Sequence, residues 1–148
     1  MKFIVDAMLG KLAKRLRLLG YDTYFDPVIE DRDILKTAKA EDRIIVTRDT
    51  GISKIKGAKV ILIKSTDLKE QLKEFSKVTK LHFDERYSFS RCPECNTNIE
   101  NIEKEKVKNI VPQFVYDTMN TFSYCPHCKK AYWQGTHYNK LIKELKNI

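Results

Sequence analysis

No apolar run in this sequence approaches the roughly 20 residues needed to cross a bilayer; the longest, such as Val60 to Ile63, are far shorter. The amino-terminal run Phe3-Ile4-Val5 is cut at once by Asp6, so it does not read as a secretory leader. Membrane and Sec-secreted classes are therefore set aside, and a cytoplasmic location is expected. Low-complexity tracts are missing, as are internal repeats beyond two similar Cys-Pro-x-Cys turns. There is no Gly-rich phosphate loop, no nucleophile elbow and no His-Glu-x-x-His pair, which removes the enzyme classes built on those motifs. Cysteine is confined to the sequence beyond residue 90.

What is present is enough for a folded core. The chain has 148 residues, 42% hydrophobic and 32% charged, a composition typical of soluble globular proteins and unlike that of disordered chains. Lys and Arg number 28 against 20 Asp and Glu, a formal charge of +8. That excess fits an anionic partner without identifying one. It is spread evenly, with 18 basic and 14 acidic side chains in residues 1–85 and 10 and 6 in residues 86–148. Any anion-binding surface must then be made by folding.

Residues 1–85 alternate strand and helix signals. Phe3-Ile4-Val5 ends at Asp6, and Met8, Leu9, Leu12, Leu16 and Leu19 then recur at helical spacing until Gly20. Thr23-Tyr24-Phe25 is a second strand, and Asp31 stands as an N-cap before Ile34, Leu35 and Ala38. Arg43 to Thr47 and Val60 to Ile63 are further strands, and Leu68, Leu72 and Phe75 share a helical face after Asp67. Such alternation implies right-handed crossovers and a mostly parallel sheet covered on both faces. Residues 86–148 change character, with paired cysteines, turn residues and apolar segments such as Val107 to Tyr116. A terminal helix is expected over Tyr138 to Leu145.

The most specific motif is the pair Cys92-Pro-Glu-Cys95 and Cys125-Pro-His-Cys128. In a reducing compartment, two Cys-x-x-Cys turns read as a tetrahedral zinc shell with no open position for catalysis. The 29 residues between Cys95 and Cys125 suit a ribbon whose knuckles are joined by a long hairpin. His127, inside the second knuckle, reads as an exposed passenger, and isolated His82 as a surface residue. The aromatic segment Tyr132 to Tyr138, which holds His137 and the only tryptophan, Trp133, reads first as packing between the ribbon and the terminal helix, with the role of His137 left open.

A second signal is acidic. Asp6 follows one strand, Asp31 opens a helix and Asp49 follows another strand, and open parallel sheets gather reacting groups beyond the carboxyl ends of their strands. Clustered carboxylates repel one another unless a cation neutralises them, and oxygen ligands of this kind suit Mg²⁺ or Mn²⁺. As purely local features, Asp31 is a good helix cap and Asp49 a good turn former. Lys11, Lys14 and Arg15 share a helix face opposite the leucine stripe, beginning beside Asp6, and Arg48 adjoins Asp49. These four side chains can meet a phosphate backbone or simply face solvent.

Together these elements resemble the Mut-seven C-terminal RNase domain, a PIN-like nuclease fold carrying a zinc ribbon. The resemblance is carried by Phe3-Ile-Val-Asp6-Ala-Met-Leu-Gly10-Lys-Leu-Ala13, Leu16-Arg-Leu-Leu-Gly20-Tyr-Asp22-Thr23 and Arg43-Ile-Ile-Val-Thr-Arg-Asp49. It continues through both cysteine knuckles to Tyr132-Trp133-Gln-Gly135-Thr-His137. It implies a metal-dependent ribonuclease acting on RNA, with Asp6 and Asp49 as site acids and either Asp31 or Asp33 between them, Asp31 being favoured by its place at the helix start. The alternative is a noncatalytic RNA-binding or ribosome-associated zinc-ribbon module.

Overall fold

A computed structural model describes residues 1–148. Four strands, β1 (Lys2–Val5), β2 (Asp22–Phe25), β3 (Ile44–Thr47) and β4 (Val60–Leu62), form a parallel sheet in the order β2-β1-β3-β4. The crossovers carry α1 (Gly10–Leu18), α2 (Asp31–Glu41) and the single turn α3 (Thr50–Ser53), and α4 (Leu68–Thr79) follows β4. β1 is central and buried through Phe3, Ile4 and Val5, each fully inaccessible. Because side chains alternate across a strand, Phe3 and Val5 join α1 and α4 on one face through Leu12, Leu16, Leu72 and Phe75. Ile4 and Ile45 meet Ile34 and Ala38 of α2 and Ile52 of α3 on the other. The sheet is covered on both faces, as the alternation predicted.

The expected helix from Met8 onward is divided. Ala7–Leu9 is a 3-10 turn and the α-helix begins at Gly10. The tighter winding of three residues per turn takes Met8 off the apolar stripe, and it is 73% exposed. At α2, Asp31 is the first helical residue rather than the cap; Glu30 occupies the cap position and makes no side-chain cap bond. Asp67 does cap α4, accepting from the Glu70 amide at 3.2 Å. Gly20, at φ 96°, ends the first helical segment where a Cβ would strike the Tyr87 carbonyl, so a close backbone crossing fixes glycine there.

The second sheet is antiparallel, β5 (Glu100–Ile102), β6 (Phe122–Cys125) and β7 (Lys130–Tyr132) in that order. The path between the cysteine pairs is not the plain long hairpin expected. It includes a 3-10 turn at Lys104–Val107 and a short helix α5 (Gln113–Thr118). These pack Val107 and Val111 with Phe122 into a small core of their own, which is why the Val107 to Tyr116 segment is apolar without being a strand. The last helix, α6 (Thr136–Lys146), returns to the α/β unit and buries Leu145 completely in its larger core.

Candidate functional site

The strand order places the turning point of the sheet between β1 and β3, since the chain winds one way to β2 and the other way to β4. Beyond this point, at the carboxyl ends, open α/β sheets present their ligand sites. Asp6 follows β1 there, is 8% exposed, and continues the ladder through its amide to the Val46 carbonyl at 2.9 Å. Thr47 ends β3 and donates its hydroxyl to Asp6 Oδ2 at 2.8 Å, while Thr47 Oγ1 accepts from the Asp49 amide at 3.0 Å. One buried hydroxyl thus ties the two acids. Asp49 caps α3 by accepting from the Gly51 amide at 2.7 Å, and Asp6 Oδ1 accepts from the Met8 amide at 3.4 Å. The local capping roles and the strand-end positions coexist in the same side chains.

Asp31 and Asp33 are both exposed in the first turn of α2. A carboxylate missing from the sequence reading is Asp26. The register pairs Val5 with Phe25, so Asp26 stands level with Asp6 on the adjacent strand end, and it accepts from the Val28 amide at 3.0 Å. The signal that picks out Asp6, an acid directly after an apolar run, was available for Asp26 as well. The strand-end carboxylates are strung along the sheet edge. The ligand atoms that lie within 4.8 Å of one another are instead those of the four cysteines.

The basic residues divide by role. Lys11 and Lys14 are exposed on α1, and Lys14 meets Glu94 at 3.2 Å. Arg15 is partly buried and bonds Glu144 of α6 at 2.8 Å. Arg48, between Thr47 and Asp49, has its Nε buried without any hydrogen-bond partner. A buried guanidinium N–H left unpaired costs on the order of 1–3 kcal/mol.

Both knuckles are built alike. Pro93 and Pro126 follow the first cysteine of each pair, the amides of Asn96 and Lys129 reach back to the Cys92 and Cys125 carbonyls at 2.9 and 2.8 Å, and both residues have positive φ, 71° and 57°. The sulfurs face one another, with Cys92–Cys128 at 3.9 Å and Cys95–Cys125 at 3.4 Å. A tetrahedral ion with metal–sulfur bonds of about 2.3 Å needs sulfur separations of about 3.8 Å, so the quartet fits a metal such as zinc. Desolvation opposes ionisation of Cys95, but hydrogen bonds involving Thr97 and the neighbouring thiols bring it down to about 6. Desolvation, reinforced by Cys95 and Cys92, pushes Cys128 up to about 12. Four thiolates therefore require a cation. The Tyr132 hydroxyl lies 3.0 Å from Cys92 Sγ, and burial together with that sulfur keeps the phenol protonated and able to donate. His127 is exposed, with Nδ1 4.0 Å from Cys128 Sγ.

The first knuckle is also fastened to the α/β unit. Buried Arg17 donates to the Thr23 carbonyl and to the Pro93 carbonyl, both at 2.9 Å. Asn96 accepts from the Thr23 amide at 3.0 Å and donates to Asp22 Oδ1 at 2.8 Å. Asp22 also binds Arg43 at 2.8 Å. Above α1, the ribbon and α6 enclose a cleft of about 660 Å³ lined by Lys14, Trp133 and His137 among others.

A doubly covered parallel sheet joined to a four-cysteine ribbon defines the class, an α/β protein with a ribbon able to hold a metal. The Mut7-C RNAse domain family model matches residues 1–145, and the chain belongs to that family. Comparison with curated proteins and with solved structures gives no match. No helix is long and apolar enough to cross a membrane.

Proposed function

We propose that the protein is a metal-dependent ribonuclease that hydrolyses RNA phosphodiester bonds at the β1–β3 edge. Residues 1–85 supply the catalytic unit and residues 86–148 the zinc ribbon. Membership of an RNase family supports RNA as the substrate. The observation that carries the reading is the Asp6–Thr47–Asp49 chain of hydrogen bonds beside the unpartnered Arg48 Nε.

In this reading Asp6, Asp49 and Asp31, or Asp33 in its place, hold Mg²⁺ or Mn²⁺, with Asp26 the adjacent carboxylate. Such an ion, when bound, supplies a water of lowered pKa and charge stabilisation on the phosphate. The chain's own parts do the rest. Thr47 fixes the Asp6 carboxylate, Arg48 meets a phosphate oxygen, and Lys11, Lys14 and Arg15 offer positive charge along α1. Four free thiols at van der Waals separation suit a reducing cytoplasm, with zinc as a structural ion.

The spacing of the acids favours a second reading, a noncatalytic RNA-binding module, because the cysteines and not the acids form the close-set ligand cluster. Cleavage of single-stranded RNA by zinc-loaded protein with Mn²⁺ decides between them. Loss of a single catalytic carboxylate, Asp6→Asn or Asp49→Asn, is expected to reduce the rate by at least about 100-fold, the scale of one strong transition-state contact. Unchanged rates in both variants remove the site assignment. Salt-sensitive binding with no cleavage favours the binding module.

A further inference from the structure

The cleft between α1, the ribbon and α6 is separate from the acidic edge: none of Asp6, Asp26, Asp31 or Asp49 lines it. Its volume of about 660 Å³ lies within the usual range for small-ligand sites. Its walls have two characters. Trp133, Tyr132, Tyr138 and Phe89 contribute aromatic surface, while Lys14, Arg15, Arg91 and Lys130 stand against a single carboxylate, Glu94. Charge complementarity therefore selects an anion, and the aromatic wall selects one with flat faces.

The cations are not equivalent. Arg15 is held by Glu144 at 2.8 Å, and Arg91 donates to the Gly20 and Asn96 carbonyls at 3.2 and 2.9 Å. The first holds α6 against α1 and the second holds the ribbon to the α/β unit. Lys14 pairs only with exposed Glu94, the kind of surface contact that exchanges readily for a better anion, and Lys130 on β7 is exposed. A third source of positive potential is α6 itself. The helix has 11 residues, and its N-cap, Gly135, offers no side-chain bond to the first-turn amides, so the positive end of the helix is left for a ligand. That turn is fixed against the indole, since a Cβ at Gly135 would lie 3.1 Å from Trp133 Nε1.

We propose that this cleft holds an unpaired stretch of RNA, one base stacked on Trp133 and its phosphates on Lys14, Lys130 and the first turn of α6. The proposal rests on the ribonuclease reading and deepens it by naming the substrate form as single-stranded. A duplex hides the faces of its bases, whereas an aromatic wall needs them free. Lys14 lies eight positions beyond Asp6 along the 3-10 turn and α1, a rise of about 12–14 Å. A strand seated in the cleft is thus a few nucleotides from the acidic edge.

Trp133 is the only tryptophan, so its emission reports stacking directly. The test uses the zinc-loaded full chain carrying Asp6→Asn, without Mn²⁺, and a fluorescein-labelled single-stranded RNA of about 12 nucleotides, with the same RNA annealed to its complement as the comparison. The expected result is quenching of Trp133 by the single strand and at least about tenfold weaker binding of the duplex. Trp133→Leu is expected to weaken single-strand binding about tenfold or more by anisotropy, the scale of one lost stack. Because Trp133 also packs on Phe122, the exposed pair Lys14→Gln with Lys130→Gln provides an independent arm. It should lower the salt slope of log K by about 1.4, at roughly 0.7 per phosphate. Unchanged emission at saturating RNA, an unchanged salt slope or equal affinity for duplex overturns the proposal. Quenching without any cleavage by the unsubstituted protein keeps the cleft and removes the ribonuclease reading. Acid-dependent cleavage with Trp133 silent removes the cleft alone.

Discussion

Replacing Asn96 by Ala tests how firmly the first cysteine knuckle is latched to the sheet. Asn96 closes the open edge of β2, which has β1 on one side only, by accepting from the Thr23 amide at 3.0 Å and donating to Asp22 at 2.8 Å. Loss of a neutral hydrogen bond costs about 1 kcal/mol and of one to a charged group about 1.5–3 kcal/mol. At φ 71° Ala adds about 1 kcal/mol of backbone strain that Asn tolerates better. The sum is about 3.5–5 kcal/mol, or about 7–20 °C in Tm for a chain of this size. The assay is thermal and urea unfolding of zinc-saturated protein, with zinc content measured so that metal loss is not mistaken for loss of the latch. Asn96→Gly removes the same bonds without the φ strain and should sit about 1 kcal/mol above Ala. A Tm change under about 3 °C for Asn96→Ala, or separate melting of ribbon and α/β unit in the unsubstituted protein, refutes the latch.

The same contact makes stability depend on acid. Burial favours the protonated form of Asp22, but Asn96 and Arg43 outweigh it and hold the carboxyl below its ordinary value. The resulting stabilisation is complete above a pH of about 4 and is lost as pH falls through the folded-state value. Urea midpoints should therefore fall on acidification in the native protein and less so in Asp22→Asn; superimposable profiles would argue against this. Leu145→Ala, at a fully buried position of the larger core, should cost about 2–5 kcal/mol and lower the single unfolding transition of the α/β unit, whereas a ribbon-only effect would contradict the packing of α6. Thr47→Val keeps volume but leaves Asp6 Oδ2 without its donor and the Asp49 amide without its acceptor, so about 1–3 kcal/mol of stability should be lost. A neutral result would show that water replaces the hydroxyl.

The parts of the molecule most legible in the sequence are those set by local pattern. Phe3-Ile4-Val5 and Ile44 to Val46 are strands because both faces of the sheet are apolar, and the acids after them fall at the sheet edge because strands in such sheets are parallel. The cysteine pairs announce their convergence through spacing alone. What could not be read is set by contacts remote in sequence or by the choice between kinds of helix. Arg17 and Asn96 look like ordinary helix and turn residues, yet they bind partners 76 and 73 positions away. Met8 matches helical spacing, but the capping demand of Asp6 winds its segment more tightly. The apolar residues at 107–116 satisfy a hydrophobic count equally well as strand or as turn and helix, and only their common contact with Phe122 decides.

The burial of Leu145 beneath the first sheet has a consequence for synthesis. The strands and helices through Thr79 form a bundle whose last fully buried residue is translated 66 positions later. At about 5–20 residues per second, the ribosome delivers it on the order of 3–13 s after α4 is complete. Until then the emerging chain leaves part of its larger core uncovered, and a nascent chain that terminates early keeps it so. Completion of the α/β unit is thereby made contingent on the ribbon having been made, so partial translation products expose apolar surface that the full chain covers.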